Sequence, residues 1–216
     1  MRQYADAVLD TDRDRALRIV TEAVEAHVSP EEVVFEVVLP SLESMMQAVT
    51  QGQGVSLAQH YMAAQIGSEV VEAMIPRFAA RPAAVGRVVI GTAPGDFHGL
   101  GKRIVSGCLK ALMVEVVDLG LNIPAEKFVD EAVAQDAQVI AISTMMLHTA
   151  LGEGGSLGVR RVLRERKLQD RIRIAVGGAP YRFDPHLYKA VEADAWAENG
   201  ILAGKVITDL IQEVLV

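Results

Sequence analysis

The sequence has one cysteine, Cys108, one tryptophan, Trp196, and only 5% aromatic residues. A lone thiol excludes an internal disulfide, and with no cysteine partner nearby and no closely spaced histidine pair there is no Cys/His zinc pattern. Cys108 falls within a helical pattern and is expected as a small buried hydrophobe. No apolar run of about 18 residues is free of charge, so no membrane span is expected. Met1-Arg2-Gln3-Tyr4-Ala5-Asp6 lacks the apolar core of a signal peptide, and a cytoplasmic protein is expected. Basic charge is scarce: 21 Lys and Arg stand against 28 Asp and Glu, a net charge of −7. The densest basic stretch, Arg160-Arg161-Val162-Leu163-Arg164-Glu165-Arg166-Lys167, is interrupted by acid and apolar residues. It reads as one solvated helix face, and direct nucleic-acid binding is not expected.

What is present is a hydrophobic content of 50% over 216 residues, enough for two small domains with cores of their own. Residues 1 to about 78 contain helical periodicity and no strand alternation. Thr11-Asp12-Arg13-Asp14 can cap Ala16 to Ala26, and Ser29-Pro30-Glu31-Glu32 is a start signal with serine at N-cap and proline at N1. That second helix runs through Val33 to Leu39, is bent or restarted at Pro40-Ser41, and continues through Leu42, Met45 and Val49. Gln51-Gly52-Gln53-Gly54 breaks it, and Ser56 caps a further helix to about Phe78. A four-helix bundle over residues 1–80 is the natural packing. Exposed Met and Val residues on it could support a homodimer.

Residues 81–86 have the small-residue and proline content of a linker. From residue 87 to residue 216 the period switches to strands alternating with helices. Strands are expected at Val88–Gly91, Val114–Leu119, Val139–Ser143, Ile172–Val176 and Ala195–Ala197. Helices are expected at Lys102–Met113, Pro124–Gln135, Leu157–Arg166, Pro185–Val191 and Ile201–Val214. Near-continuous apolar strands separated by helices imply a five-stranded parallel sheet in a flavodoxin/Rossmann-like doubly wound α/β domain, with ligands at the strand C-terminal rim.

One loop on that rim stands out. Gly95-Asp96-Phe97-His98-Gly99-Leu100-Gly101-Lys102 follows the first strand and opens the next helix. An acid two residues before a histidine can accept one ring proton and leave the other nitrogen for a metal or for proton transfer. The glycines do not fit the dinucleotide-binding Gly-x-Gly-x-x-Gly pattern, which disfavours a nicotinamide dehydrogenase. Three further features end later strands at the same rim: Ser143-Thr144-Met145, Gly177-Gly178-Ala179-Pro180 and Ala197-Glu198-Asn199.

Together these residues resemble the cobalamin-binding corrinoid protein family, across about residues 86 to 214. The helical region resembles the cap that often precedes this domain. The resemblance implies cobalamin, a cobalt corrinoid, as cofactor. It implies His98 as the lower cobalt ligand in place of the cofactor's own base, with Asp96 tuning it, Phe97 and Gly99 also binding the cofactor, and Gly101 letting the first helix begin close to it. Ser143 would lie along the nucleotide tail, Met145 stands where many members have leucine, and Gly177 and Gly178 would let the tail approach. His60 and Tyr61 would approach the upper face of the corrin. Leu151 to Ser156 looks like extra loop material relative to the family. The function implied is a methyl-group carrier in a cobalamin-dependent methyltransferase system, inactive in turnover without methyltransferase partner proteins. The second reading is a cobalamin-dependent sensor or light-responsive regulator acting through a protein partner. The sensors' tryptophan and Glu-His residues fall by register on Thr50, His60 and Tyr61, so their triad is absent. The third is a corrinoid-storage module.

Overall fold

The computed structural model describes residues 2–78 and 84–216. The described residues fall into two compact units, the first within Met1–Ala83 with Lys110–Leu112, the second made of Ala84–Leu109 and Met113–Val216. Half of the proposed linker, residues 81–83, lies outside the described residues.

The first unit is helical. Helix α1 (Arg2–Leu9) buries Tyr4, Ala7 and Val8. Helix α2 (Arg13–Glu25) starts where the Asp12 carboxylate accepts the Arg15 N–H at 3.0 Å. A short turn, α3 (Pro30–Glu32), begins with a capping box: Ser29 Oγ accepts the Glu32 N–H, and the Glu32 carboxylate accepts the Ser29 N–H at 2.9 Å. A π-helical stretch (Val33–Val38) continues without a break into α4 (Leu39–Thr50). Proline at 40 brings no N–H to the ladder, and the widened turn before it absorbs the loss. The Leu39 N–H reaches back to Val34 O, and Ser41 Oγ donates to Val37 O at 2.6 Å. The helix therefore runs on through Pro40 instead of restarting. A second capping box, Ser56 with Gln59, opens α5 (Leu57–Met74). The bundle was expected, but α1 was not foreseen as one of its helices.

The second unit is α/β. Its strands are β1 (Gly86–Thr92), β2 (Val114–Asp118), β3 (Val139–Ser143), β4 (Arg173–Gly177) and β5 (Ala195–Ala197). Every pairing is parallel and the spatial order is β2-β1-β3-β4-β5. Between them run α6 (Leu100–Ala111), α7 (Ala125–Ala134), α8 (Leu147–Leu151), α9 (Ser156–Glu165), α10 (Ala179–Phe183) and α11 (Leu187–Ala190), and α12 (Gly200–Leu215) ends the chain. One face of the sheet carries a core cluster in which Val89, Ile140, Ile142, Ile174 and Val176 pack with Phe128, Val129, Val159 and Leu163, and Trp196 packs against them. Gly91 makes room there, since a Cβ would come within 2.9 Å of the Phe128 ring. The chain leaves β1 toward β2 on one side and returns to β3 on the other, so the strand order reverses between β1 and β3. A crevice opens at such a point, beyond the strand C-termini.

The basic stretch of α9 is not one solvated face. Arg160 turns inward and is buried, donating from Nε to Glu192 O at 3.0 Å and from the guanidinium to Asp194 at 2.7 Å. Asp194 also accepts the Ile174 N–H, so a charge assigned to solvent ties α9 to the segment entering β5. Cys108 is buried, as expected, and burial pushes its thiol up to about 12.

Candidate cobalamin site

The loops leaving β1 and β3 meet at the reversal point, and one carboxylate joins them. Asp96 has no exposed surface. Its Oδ1 accepts the His98 N–H at 2.9 Å and lies 3.0 Å from His98 Nδ1. Its Oδ2 accepts the Met145 N–H at 2.6 Å and the Thr149 hydroxyl at 3.1 Å. Burial by itself would raise the carboxyl pKa, but the donors from Met145, His98 and Thr149 outweigh it and hold Asp96 below its ordinary value. In the neutral imidazole, an ionised Asp96 favours the tautomer with the proton on Nδ1, the one whose Nε2 lone pair can bind a metal. The His98 side chain is 53% exposed.

The backbone of the loop is fastened as well. Thr92 Oγ1 donates to Asp96 O at 2.6 Å and accepts the Asn122 N–H at 2.8 Å. Asn122, at φ 57°, accepts the Gly95 N–H on its side-chain oxygen at 2.7 Å. Gly95 itself has φ 77°, a conformation that suits glycine. On the far side of the loop, the buried ammonium of Lys102 pairs with Asp118 at the end of β2.

Of the residues singled out from sequence, Asp96, Phe97, His98, Gly99, Gly101, Ser143, Met145, Gly177 and Gly178 come together at this rim. His60 and Tyr61 lie on α5 in the other unit. His60 is 4% exposed, its Nδ1 has no hydrogen-bond partner, and burial pushes its pKa down to about 4. Sequence reasoning missed Thr149, Asn122, Thr92 and the Lys102–Asp118 pair. Thr149 sits next to the segment read as extra loop, and its role depends on the fold bringing α8 against Asp96.

The N-terminal and C-terminal regions each match a family model described as "B12 binding domain", over residues 1–74 and 86–203. The chain belongs to the B12-binding family. Cobalamin is its cofactor. Among curated relatives of this B12-binding chain, trimethylamine corrinoid protein 1 of Methanosarcina acetivorans is 29% identical over 97% of the chain and 92% of the relative. Dimethylamine corrinoid protein 3 of the same organism is 32% identical over 92% and 91%. Among solved structures, the methanol:cobalamin methyltransferase complex of Methanosarcina barkeri shares the fold at a TM-score of 0.79, with 23% identity over 97% of this chain and 78% of that one.

The residues present fit such a cofactor. Among the described residues no group of three or more His, Cys, Asp or Glu side chains is placed to hold a bare ion, so a single imidazole suits a metal that brings its other ligands with it. Around His98 the apolar side chains of Phe97, Leu100, Met145, Met146 and Leu147 are exposed, a surface suited to a flat macrocycle. On the sheet face opposite the core cluster, register aligns Ala141, Ala175 and Ala195 in one row and Ser143, Gly177 and Ala197 in the next. A Cβ on Gly177 would meet only Ala197 O, at 3.4 Å, and one on Gly101 would stand 3.6 Å from Ser143 Oγ. These rows carry only small side chains. Gly178 serves the backbone instead: at φ 120° its Cβ would collide with Thr144 O.

Proposed function

We propose that this chain is the corrinoid subunit of a methyltransferase system, a methyl-group carrier that is not catalytic alone. The observation that carries this reading is the His98 imidazole, held at Nδ1 by the fully buried Asp96 and half exposed in the midst of an exposed apolar surface. His98 would be the lower cobalt ligand. Asp96 would orient it and strengthen its donation, with Met145 N–H and Thr149 keeping Asp96 ionised. Phe97 and Met145 would lie against the corrin, Gly99 and Gly101 would let α6 start close to it, and Ser143 would offer a hydroxyl to the nucleotide tail beside Gly177 and Gly178. The cobalt that His98 would hold would supply the methyl-transfer chemistry, with methyltransferase partners as donor and acceptor enzymes. His60 and Tyr61 remain candidates for the upper face.

The carrier reading is preferred to the light-responsive regulator because relatives that match along nearly the whole chain are corrinoid proteins of trimethylamine and dimethylamine. Methylated amines are accordingly the donors to try first, and methyltransferase proteins are the partners. No helix among the described residues is long and apolar enough to cross a membrane, and we place the carrier in the cytoplasm. The domain boundaries proposed are residues 1–80, 81–86 and 87–216; a homodimer is a further proposal, read by sedimentation. The test of function is to mix the protein with hydroxocobalamin, desalt it, reduce the bound Co(III) to Co(I) with a low-potential reductant such as titanium(III) citrate, and supply a methylated amine with its methyltransferase, the demethylated amine being the leaving group. Retained corrin absorbance and its conversion to the methylated spectrum are expected. Loss of corrin on desalting contradicts the reading.

A further inference from the structure

The turn joining α8 to α9, Gly152-Glu153-Gly154-Gly155, has three glycines among its four residues. None of the three is at positive φ. At Gly152 and Gly154 it is space, not a positive φ, that restricts a side chain. A Cβ on Gly154 would stand 3.0 Å from Pro94 Cγ, one on Gly155 would stand 3.1 Å from Thr149 O and 3.7 Å from Ala93 Cβ, and one on Gly152 would stand 3.1 Å from His148 O. The turn is closed by the Gly155 N–H on Gly152 O at 2.9 Å, and Glu153 O fills the space that a side chain on Gly158 would take.

The neighbours of this turn are the two arms of the site. Ala93 and Pro94 lead directly into Gly95-Asp96, and Thr149 donates to Asp96 Oδ2 while its methyl packs 3.7 Å from the Cβ position of Gly95. Bare backbone thus fills the gap behind both, and any side chain there would push on one of them. We propose that the Gly152–Gly155 turn is a positioning element for His98: it fixes Asp96 from behind through Pro94 and Thr149, and so sets how firmly the imidazole holds cobalt. This rests on the corrinoid-carrier reading.

The test uses the full chain loaded with cobalamin and reduced to Co(II), where electron paramagnetic resonance separates imidazole-bound from imidazole-free cobalt. In Gly154→Ala the bound-to-free ratio should fall about tenfold, the scale on which supporting partners act on metal affinity. Gly154→Val should lower it further. The His98 Nδ1–H proton resonance of the cofactor-free protein should shift in the same order. Pro94→Ala combined with Gly154→Ala removes the atom the new methyl meets and should recover the ratio. Gly86→Ala, where a Cβ would run into Ile211 at the opposite end of β1, should cost stability but leave the ratio alone. Should Gly154→Val not fold, Gly154→Ala with its Pro94 rescue decides. Parent-like ratios in the Gly154 variants, or an equal fall in Gly86→Ala, overturn the proposal. A parent protein without histidine nitrogen coupling overturns the carrier reading itself, and the two failures are distinguishable.

Discussion

His98 and Asp96 belong to one motif but should fail in different ways. The imidazole is half exposed and touches the fold mainly through Asp96, so His98→Ala should move unfolding stability by only about 0.5 kcal/mol. Asp96→Ala strands the Met145 N–H and the His98 N–H, while the Thr149 hydroxyl keeps Met146 O at 2.8 Å, and should cost about 3 kcal/mol in urea titrations. Equal losses in the two variants would contradict the assignment of Asp96 as the structural anchor. His60 supplies a pH dependence. Its folded pKa, about 4, lies below the ordinary value of 6.5, so the unfolded chain takes up a proton first as pH falls. Stability is full above pH 6.5 and is lost between there and pH 4. From this group alone the protein should be about 2 kcal/mol less stable at pH 5 than at pH 7.5. His60→Met should shrink that difference; an unchanged difference would show that other groups carry it.

Among the described glycines, the one with least room for a side chain is at the β4–α10 junction. Gly178→Ala adds a Cβ at φ 120° against the carbonyl of Thr144, whose N–H is already bonded to Gly177 O at 2.9 Å. It should cost about 3 kcal/mol or more, read by thermal unfolding; a neutral result would mean that β3 and β4 can part at their ends. Elements of this kind were largely legible in the sequence. Continuous apolar runs marked the parallel strands, and serine caps marked α3 and α5. The loop after β1 was legible because acid, histidine and glycine stand adjacent in sequence. The rest was not, for physical reasons. α1 lacks a capping signal, and its buried residues, Tyr4, Ala7 and Val8, are too few to show a period. Pro40 reads as a break because a widened turn that absorbs a proline leaves no mark in composition. Arg160 reads as solvated because its partner, Asp194, is distant in sequence. Thr149 and Asn122 act on Asp96 and Gly95 only once the sheet has brought their loops together.

At the scale of the molecule, the chain joins a helical unit to a doubly wound sheet whose two faces have different duties. One face is filled by Ile140, Ile142, Ile174 and Val176 against α7 and α9, and the other carries Val88, Ile90 and Val139 at one end and the small residues Ala141, Ser143, Ala175, Gly177 and Ala197 toward the site. The strand order reverses where His98 stands, and a single buried carboxylate ties the loops on either side of that point. The central claim is that this architecture holds cobalamin with the cofactor's own base displaced and His98 in its place. It is tested most directly by growing the protein with nitrogen-15 histidine, loading it with cobalamin, reducing it to Co(II) and recording its electron paramagnetic resonance. The account predicts that the nitrogen triplet on each cobalt line becomes a doublet on labelling and is lost in His98→Ala. A triplet that persists after labelling would show that the cofactor's own base still holds cobalt, and would contradict it.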